Sequence, residues 1–288
     1  MSAAVIGIIA HIGKAGARRV ARALSEEFAN RGVQALLEAR TAGAMELPGG
    51  VPLVELGERC ELLVALGGDG TILRIVRDLG EVIPPIFGIN LGSLGFLTCL
   101  SSADAMLAVG SIAARDYTLS SRQLLHLRLL REGREIASQR ALNDVVLSRG
   151  AVSRMINIEA RVNGRFLTSY HADGLIVATP TGSTAYTLAA GGPILDPDSG
   201  AFIITPICPH VLTNRPMIVD DTAEVEILLG PDQHEISLNV DGSELARVHS
   251  GDRIVIRKSE QMLKLAMLPG VDFFEVLRQK LKWSGSAL

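Results

Sequence analysis

The apolar positions divide the chain into two styles. Up to about residue 101, short apolar runs alternate with stretches of helical period. Residues 4–10 and 33–37 read as buried strands. Between them Val20, Leu24 and Phe28 recur at i, i+4 spacing, with Arg18, Arg19 and Arg22 on the wetter side. Residues 38–52 read as a polar, glycine-rich connector. An apolar run at 62–66 enters Gly67-Gly68-Asp69-Gly70-Thr71, and Ile72, Leu73, Val76 and Leu79 lead out in helical register. Residues 86–90 form another strand, running into Leu91-Gly92-Ser93-Leu94-Gly95-Phe96. Strands alternating with helices predict a doubly wound, mostly parallel sheet, an α/β fold.

Beyond residue 101 the pattern changes. Ser101 and Asp104 have capping-box spacing ahead of a helix to Ala114. From Leu124 the period is two: Leu125, Leu127 and Leu129 alternate with His126 and Arg128. Ile156, Ile158, Ala160 and Val162 alternate with polar residues and meet Asn163-Gly164, a hairpin signal. Ile236, Leu238 and Val240 repeat the alternation, as do Ile254 and Ile256. This part reads as a β-sandwich. Asp272 is placed to cap a last helix carrying Phe273, Phe274, Val276, Leu277 and Leu281. The expected division is an α/β nucleotide-binding domain at 1–100 and a β-rich domain at 101–269.

Composition narrows the function classes. The 288 residues carry a net charge of -3, so no global basic field is offered to nucleic acid or anionic lipid, and neither is expected as a partner. Hydrophobic content is 48%, yet the charge-free runs at 82–103 and 174–195 are broken by Pro, Gly, Ser and Thr, unlike a membrane span. No basic segment precedes the first apolar residues, so no signal peptide is expected. Cys60, Cys99 and Cys208 are too few and too scattered for a disulfide framework or a zinc site. The reading is a soluble cytoplasmic protein.

Two stretches carry candidate chemistry. At the carboxyl edge of an open α/β sheet, where ligands bind, Gly67, Gly68 and Gly70 allow close backbone approach, and the helix start beyond offers unpaired N–H groups to an anion. Asp69 has two open readings there: a helix N-cap, or a carboxylate that receives a proton or orients a cation. Generic nucleotide motifs fail. Gly13-Lys14 lacks the P-loop spacing and its hydroxyl residue, and Leu73 stands where a third Rossmann glycine is required. The second stretch runs from His171 and Asp173 through Thr179-Pro180-Thr181-Gly182-Ser183-Thr184-Ala185-Tyr186. It reads either as an ordinary hydroxyl-rich turn or as a loop whose hydroxyls and N–H groups suit ribose and phosphate, with Tyr186 able to stack on a base. His171 and Asp173, two apart, would share one face of a continuous strand. Asn143 and Asp144, adjacent on a strand, would point oppositely, so both reach one ligand only if the strand ends or bulges there.

Taken in order, these segments resemble the NAD kinases, in the form common to bacteria, over nearly the whole chain. Gly67-Gly68-Asp69-Gly70-Thr71, Asn90–Phe96, Asn143-Asp144, Asp173-Gly174 with Thr179–Tyr186, Gly191-Gly192-Pro193-Ile194, residues 206–210 and Asp241-Gly242 are each similar to a family landmark. Asp144 stands where Glu is commoner, and His171 where Arg is also common. Diacylglycerol kinases and phosphofructokinases have similar glycine-aspartate turns; TPTGSTAY is what sets this chain apart from them.

The resemblance implies phosphorylation of the 2′-hydroxyl of the adenosine ribose of NAD by ATP with Mg²⁺, giving NADP. It implies an α/β domain, a C-terminal β-sandwich, and a last helix at 270–288 completing the first domain. It further implies that the dinucleotide lies between the domains and that subunits form a homo-oligomer, a dimer or tetramer. Asp69 would be the catalytic base, in a phosphate loop of Gly67, Gly68, Gly70 and Thr71. NAD would be met by Asp69, Gly70, Arg74, Asn143, Asp144, Arg154, His171, Asp173, Asp241, Ser243 and the segment Thr184, Ala185, Tyr186, Thr187, Leu188, Ala189. Arg74 reads equally as a surface ion-pair residue. With no Cys/His cluster for a tightly held transition metal, Mg²⁺ would arrive with the nucleotide. The rival expectations are another glycine-aspartate kinase, of lipid or sugar phosphate, and a non-catalytic NAD-binding regulator.

Overall fold

The computed structural model describes residues 4–80, 82–92, 95–150, 154–231 and 236–283. The chain forms two units, Met1–Ser121 with Leu263–Leu288, and Arg122–Met262.

In the first unit β1 (Val5–Ala10) is followed by α1 (Ala17–Asn30), β2 (Gln34–Leu37), α2 (Ala39–Ala44) and α3 (Leu53–Arg59). Then come β3 (Leu62–Gly67), α4 (Asp69–Asp78), β4 (Ile86–Asn90), the short β5 (Leu100–Ser101) and α5 (Ala105–Ala114). Strands run parallel in the order β2-β1-β3-β4. Every residue of β3 is buried, as expected of a strand covered on both faces. The buried stripe of α1 is Ala17, Ala21, Leu24 and Phe28; Val20 lies beside it rather than in it. The expected connector at 38–52 contains α2 and the isolated bridge Glu38↔Val51, and α3 follows it. Helix α5 packs on α1, which puts the first break at 121/122 and not at the expected 100/101. The capping box expected at its start is not formed: the Ser101 hydroxyl donates to the Asp104 side chain.

The second unit contains most of β6 (Thr118–Arg131), then β7 (Arg134–Ala141), β8 (Asp144–Ser148), β9 (Ile156–Val162), β10 (Arg165–Ala172) and β11 (Gly174–Ala178). A 3-10 turn (Thr181–Thr184) and the one-turn α6 (Tyr186–Ala189) precede β12 (Ala201–Ile207), β13 (Met217–Asp220) and β14 (Val225–Leu229). The remaining strands are β15 (Ile236–Val240), β16 (Ser243–Val248) and β17 (Arg253–Met267). One sheet has the order β13-β12-β11-β8-β15-β16 and is antiparallel throughout. The other joins β10, β9, β14 and β17, with β6 on β17 and β7 on β6. Alternate residues of both, among them Leu127, Leu147, Ala160, Leu175, Phe202, Val225, Leu238 and Ile254, share one apolar core. This is the sandwich that the period of two predicts. Asn163 and Gly164 both take positive φ, 52° and 72°, in the two-residue turn between β9 and β10.

The end of β17 returns to the first unit and pairs parallel with β4. Helix α7 (Phe273–Leu281) follows, its first turn capped by the Asp272 carboxylate, which accepts the Glu275 N–H at 2.7 Å. Its Lys280 ammonium stands 5.9 Å from the centre of the Phe96 ring. Among the described residues no helix is long and apolar enough to cross a membrane.

Candidate active site

In the first unit the parallel register brings the ends of β1, β3 and β4 side by side, with Ala10 opposite Leu66 and Gly67 opposite Asn90. The glycine turn leaves this edge. A Cβ on Gly67 would lie 2.0 Å from Thr71 Oγ1, so the turn closes only on glycine. The helix cap is Gly68, and Thr71 N–H donates to its carbonyl at 2.9 Å. Asp69 is the first residue of α4, not its cap. Its oxygens face away from the helix: Oδ2 accepts the Phe96 N–H at 2.9 Å and Oδ1 the Leu97 N–H at 3.1 Å. This removes the capping reading of Asp69 and leaves a carboxylate fixed by two main-chain donors from another loop. Gly70 is different from Gly67, because a Cβ there would meet nothing within 4 Å. Neither packing nor backbone conformation requires glycine at that point, and open space lies beside it.

The loop that grips Asp69 is itself tied down. Asn90 is buried; its Oδ1 accepts the Gly92 N–H at 2.7 Å, while Thr98 Oγ1 accepts the Gly95 N–H at 3.0 Å. Ser93 and Leu94, also part of the expected loop motif, lie outside the described residues. Arg74 is engaged elsewhere. Its guanidinium meets both carboxylate oxygens of the buried Glu38, at 2.8 and 3.4 Å, and approaches Asp78 at 3.9 Å. Glu38 also accepts the Thr41 hydroxyl at 3.0 Å. Of the two sequence readings of Arg74, the ion pair is the one this geometry favours.

In the second unit a separate constellation forms around Asn143 and Asp144. Strand β7 ends at Ala141 and β8 begins at Asp144, so the chain bends at Leu142 and Asn143. The break expected at this pair is therefore present. Asp241, at φ 48° in the turn between β15 and β16, holds the bend: its carboxylate accepts the N–H groups of Leu142, Asn143 and Asp144 at 2.8, 2.7 and 3.1 Å. From the other side the Thr179 hydroxyl donates to the Leu142 carbonyl at 2.6 Å. A Cβ on Gly182 would stand 2.0 Å from the Asn143 carbonyl oxygen, so TPTG packs against the bend only with glycine there.

Asp144 itself is buried, and its carboxyl is pushed up to about 7, first by burial and then by the nearby Asp241 charge, against a hydrogen bond from the Tyr186 N–H. Tyr186 opens α6 with its ring exposed, beside the half-buried Thr184, Ala185 and Leu188, the exposed Ala189 and the buried Thr187. The side-chain amide of Asn143 makes no hydrogen bond to another described residue.

The structure does not bring His171 and Asp173 to this cluster. Asp144 pairs with Ala178, whereas Ser148 pairs with Gly174, so His171 and Asp173 lie at the far end of the β8–β11 pair. That is about 14 Å away along the strands. Nor do the two share a continuous strand, because the chain passes from one sheet to the other at Asp173. Asp173 is paired with Arg149 at 2.8 Å, and His171 Nδ1 stands 2.6 Å from Asn157 Oδ1. Arg154 is exposed, and Ser243 begins β16 directly after the Asp241-Gly242 turn. Sequence reasoning missed Lys14, whose ammonium donates to the Gly67 carbonyl at 3.0 Å. The signal available was topological: the loop after β1 opens on the edge from which the glycine turn leaves.

Comparisons with known proteins place the chain in a family. The chain matches the family models of the ATP-NAD kinase N-terminal domain over residues 52–117 and the ATP-NAD kinase C-terminal domain over residues 142–268. It is 42% identical to the NAD kinase of Geotalea daltonii, covering 92% of this chain and 93% of that one. It is 40% identical to the NAD kinase of Solibacter usitatus, covering 96% of each. Among solved structures it is similar to yeast NADH kinase complexed with NADH, with a TM-score of 0.91, 27% identity, and 99% of this chain and 89% of that chain covered. It is also similar to the Archaeoglobus fulgidus NAD kinase in complex with ATP, with a TM-score of 0.75, 26% identity, and 98% and 100% covered. Fold and site thus define a kinase built from an α/β unit and a β-sandwich unit. The chain belongs to the NAD kinase family.

Proposed function

We propose that this chain transfers the terminal phosphate of ATP to the 2′-hydroxyl of the adenosine ribose of NAD, forming NADP. The bond from the γ-phosphorus to the β–γ bridging oxygen breaks, a bond from that phosphorus to the ribose 2′-oxygen forms, and ADP leaves with the electron pair. Asp69 takes the hydroxyl proton. The observation that supports this most is the pair of N–H donors from Phe96 and Leu97, which orient the Asp69 carboxylate beside the open space at Gly70. Phosphoryl transfer depends chiefly on positioning and charge neutralisation, and an oriented base suits it.

Gly67, Gly68, Gly70 and Thr71 form the phosphate loop in this proposal. Asn143 and Asp144 hold the adenosine ribose, with Thr184–Ala189 and the exposed Tyr186 ring walling the adenosine. Asp241 acts through the main chain of the Asn143 bend, since its oxygens already accept three N–H groups there. Ser243, Arg154, His171 and Asp173 are carried as further dinucleotide contacts on the family resemblance alone, and Arg74 is assigned to Glu38. Among the described residues no three His, Cys, Asp or Glu side chains gather as a metal cage. A magnesium ion with few protein ligands fits the turn, where Asp69 is the carboxylate available, and such an ion commonly arrives on phosphate oxygens. When bound it would neutralise phosphate charge.

We further propose a cytoplasmic homo-oligomer, dimer or tetramer. Cys60, Cys99 and Cys208 are all free thiols, which suits a reducing compartment. The activity is tested by incubating the purified chain with NAD, labelled ATP and Mg²⁺; labelled NADP is the expected product. Labelled phosphate passing to a lipid or a sugar phosphate, and not to NAD, would overturn the proposal.

A further inference from the structure

A triphosphate brought to a turn that contains Asp69 meets a negative charge, which a protein cation at the turn would offset beside any magnesium carried by the nucleotide. Arg74, one turn into the helix, is committed to Glu38 and does not supply it. Arg18, Arg19 and Arg22 are exposed along α1. Lys14 stands at the turn itself. Its Nζ lies 3.0 Å from the Gly67 carbonyl oxygen, 3.1 Å from where a Cβ on Gly68 would be, and 3.8 Å from the equivalent point on Gly92. Those residues leave the carboxyl ends of β3 and β4, and Lys14 itself belongs to the loop after β1. The ammonium therefore sits where three neighbouring parallel strands end, the edge at which an open α/β sheet takes its ligands.

Its bonding is incomplete. An ammonium has three donors, and Lys14 makes one hydrogen bond, to a neutral carbonyl; among the described residues it has no carboxylate partner. A half-buried cation held by one carbonyl, against glycines that leave room for a ligand backbone-close, is poised for an anion. The lysine ammonium offers a point contact to phosphate oxygens next to a tight turn.

We propose that Lys14 is the residue that binds the terminal phosphates of the donor and neutralises the charge developing on them during transfer. This rests on the kinase reading above and adds a donor-side residue to it. The carbonyl of Gly67 orients the ammonium, and the glycines at 68 and 92 keep its approach clear.

The test compares wild type, Lys14→Met and Lys14→Arg in NADP formation, with ATP and NAD varied in turn, and measures ATP and AMP binding by calorimetry without NAD. Wild-type turnover in the same assay establishes the kinase reading independently of either variant. The expected result is a loss of about 10²-fold in kcat/KM for ATP in Lys14→Met, the scale for removing one charge-stabilising donor. Lys14→Arg should recover most of it, the KM for NAD should stay unchanged, and ATP affinity should fall while AMP affinity does not. A Lys14→Met enzyme within three-fold of wild type in kcat/KM for ATP would overturn the proposal. Equal losses of AMP and ATP affinity, or a lowered Tm with no rescue by Arg, would also overturn it, reducing Lys14 to a strut for the Gly67 carbonyl.

Discussion

Asp69 Oδ1 lies 1.9 Å from the point a Cβ on Gly95 would occupy. The carboxylate fits against the loop only because residue 95 has no side chain, and only then can Phe96 and Leu97 donate to it. Gly95→Ala must push either the loop or the carboxylate aside. The expected outcome is a kcat loss of at least about 10²-fold, the scale for a misplaced reacting group, with a destabilisation of about 1–3 kcal/mol from overpacking. Kinetics beside a thermal melt check this; near-normal kcat in a folded variant would mean the carboxylate needs no such positioning.

Asp69→Asn separates proton transfer from structure less cleanly than a capping residue would allow. An amide accepts at one oxygen only, so one of the two loop N–H groups loses its partner. A stability loss of about 1–3 kcal/mol is expected for an unsatisfied donor. The kcat loss should be larger, about 10²–10⁴-fold, since an amide cannot take the proton. NAD binding measured by calorimetry should weaken far less than kcat. A variant with wild-type kcat would exclude Asp69 as the base.

These contacts mark the limit of what the amino-acid order discloses. The buried run of β3, the stripe of α1, the Asn163-Gly164 turn and the Asp272 cap are local patterns and can be read directly. Asp69 is bound by main-chain N–H groups, which every non-proline residue carries, so nothing in the sequence points to Phe96 and Leu97. Glu38 and Arg74 lie 36 residues apart on different elements. Helices α2 and α3, at 6 and 7 residues, are too short for a helical period to stand out from a glycine-containing connector. His171 and Asp173 mislead for a further reason: the alternation of a strand continues through Asp173 although the chain changes sheets there.

Arg74 gives a prediction that divides fold from catalysis. Its guanidinium is mostly covered and pairs with an almost fully buried Glu38, with side-chain exposures of 21% and 3%. Arg74→Met leaves that carboxylate without its cation. A loss of about 3–5 kcal/mol in unfolding free energy is expected, as for breaking one side of a buried pair. Below the lowered Tm, kcat per folded molecule and the KM for ATP should remain near wild type. A large rise in the KM for ATP with an unchanged Tm would instead return Arg74 to the phosphates.

The last prediction concerns Asp144, which burial and the Asp241 charge push up to about 7. An acid whose folded-state pKa is raised binds its proton more tightly folded than unfolded. Its contribution to stability is therefore fully present below the ordinary carboxylate range, near 3.8, and is lost progressively as pH rises from there through about 7. A tenfold change in an acid's ionisation constant is worth about 1.4 kcal/mol. Asp144→Asn keeps an oxygen for the Tyr186 N–H and carries no charge, so its Tm relative to wild type should climb between pH 5 and pH 8. Asp241→Asn should move the wild-type transition to lower pH by removing the second cause, at the cost of one of the three N–H bonds that hold the bend. If the ionised carboxylate is what accepts a ribose hydroxyl, the KM for NAD should rise as pH falls below 7 in wild type, and Asp144→Asn should flatten that dependence. A Tm difference between wild type and Asp144→Asn that stays constant from pH 5 to pH 8 would show that Asp144 does not change charge in this range.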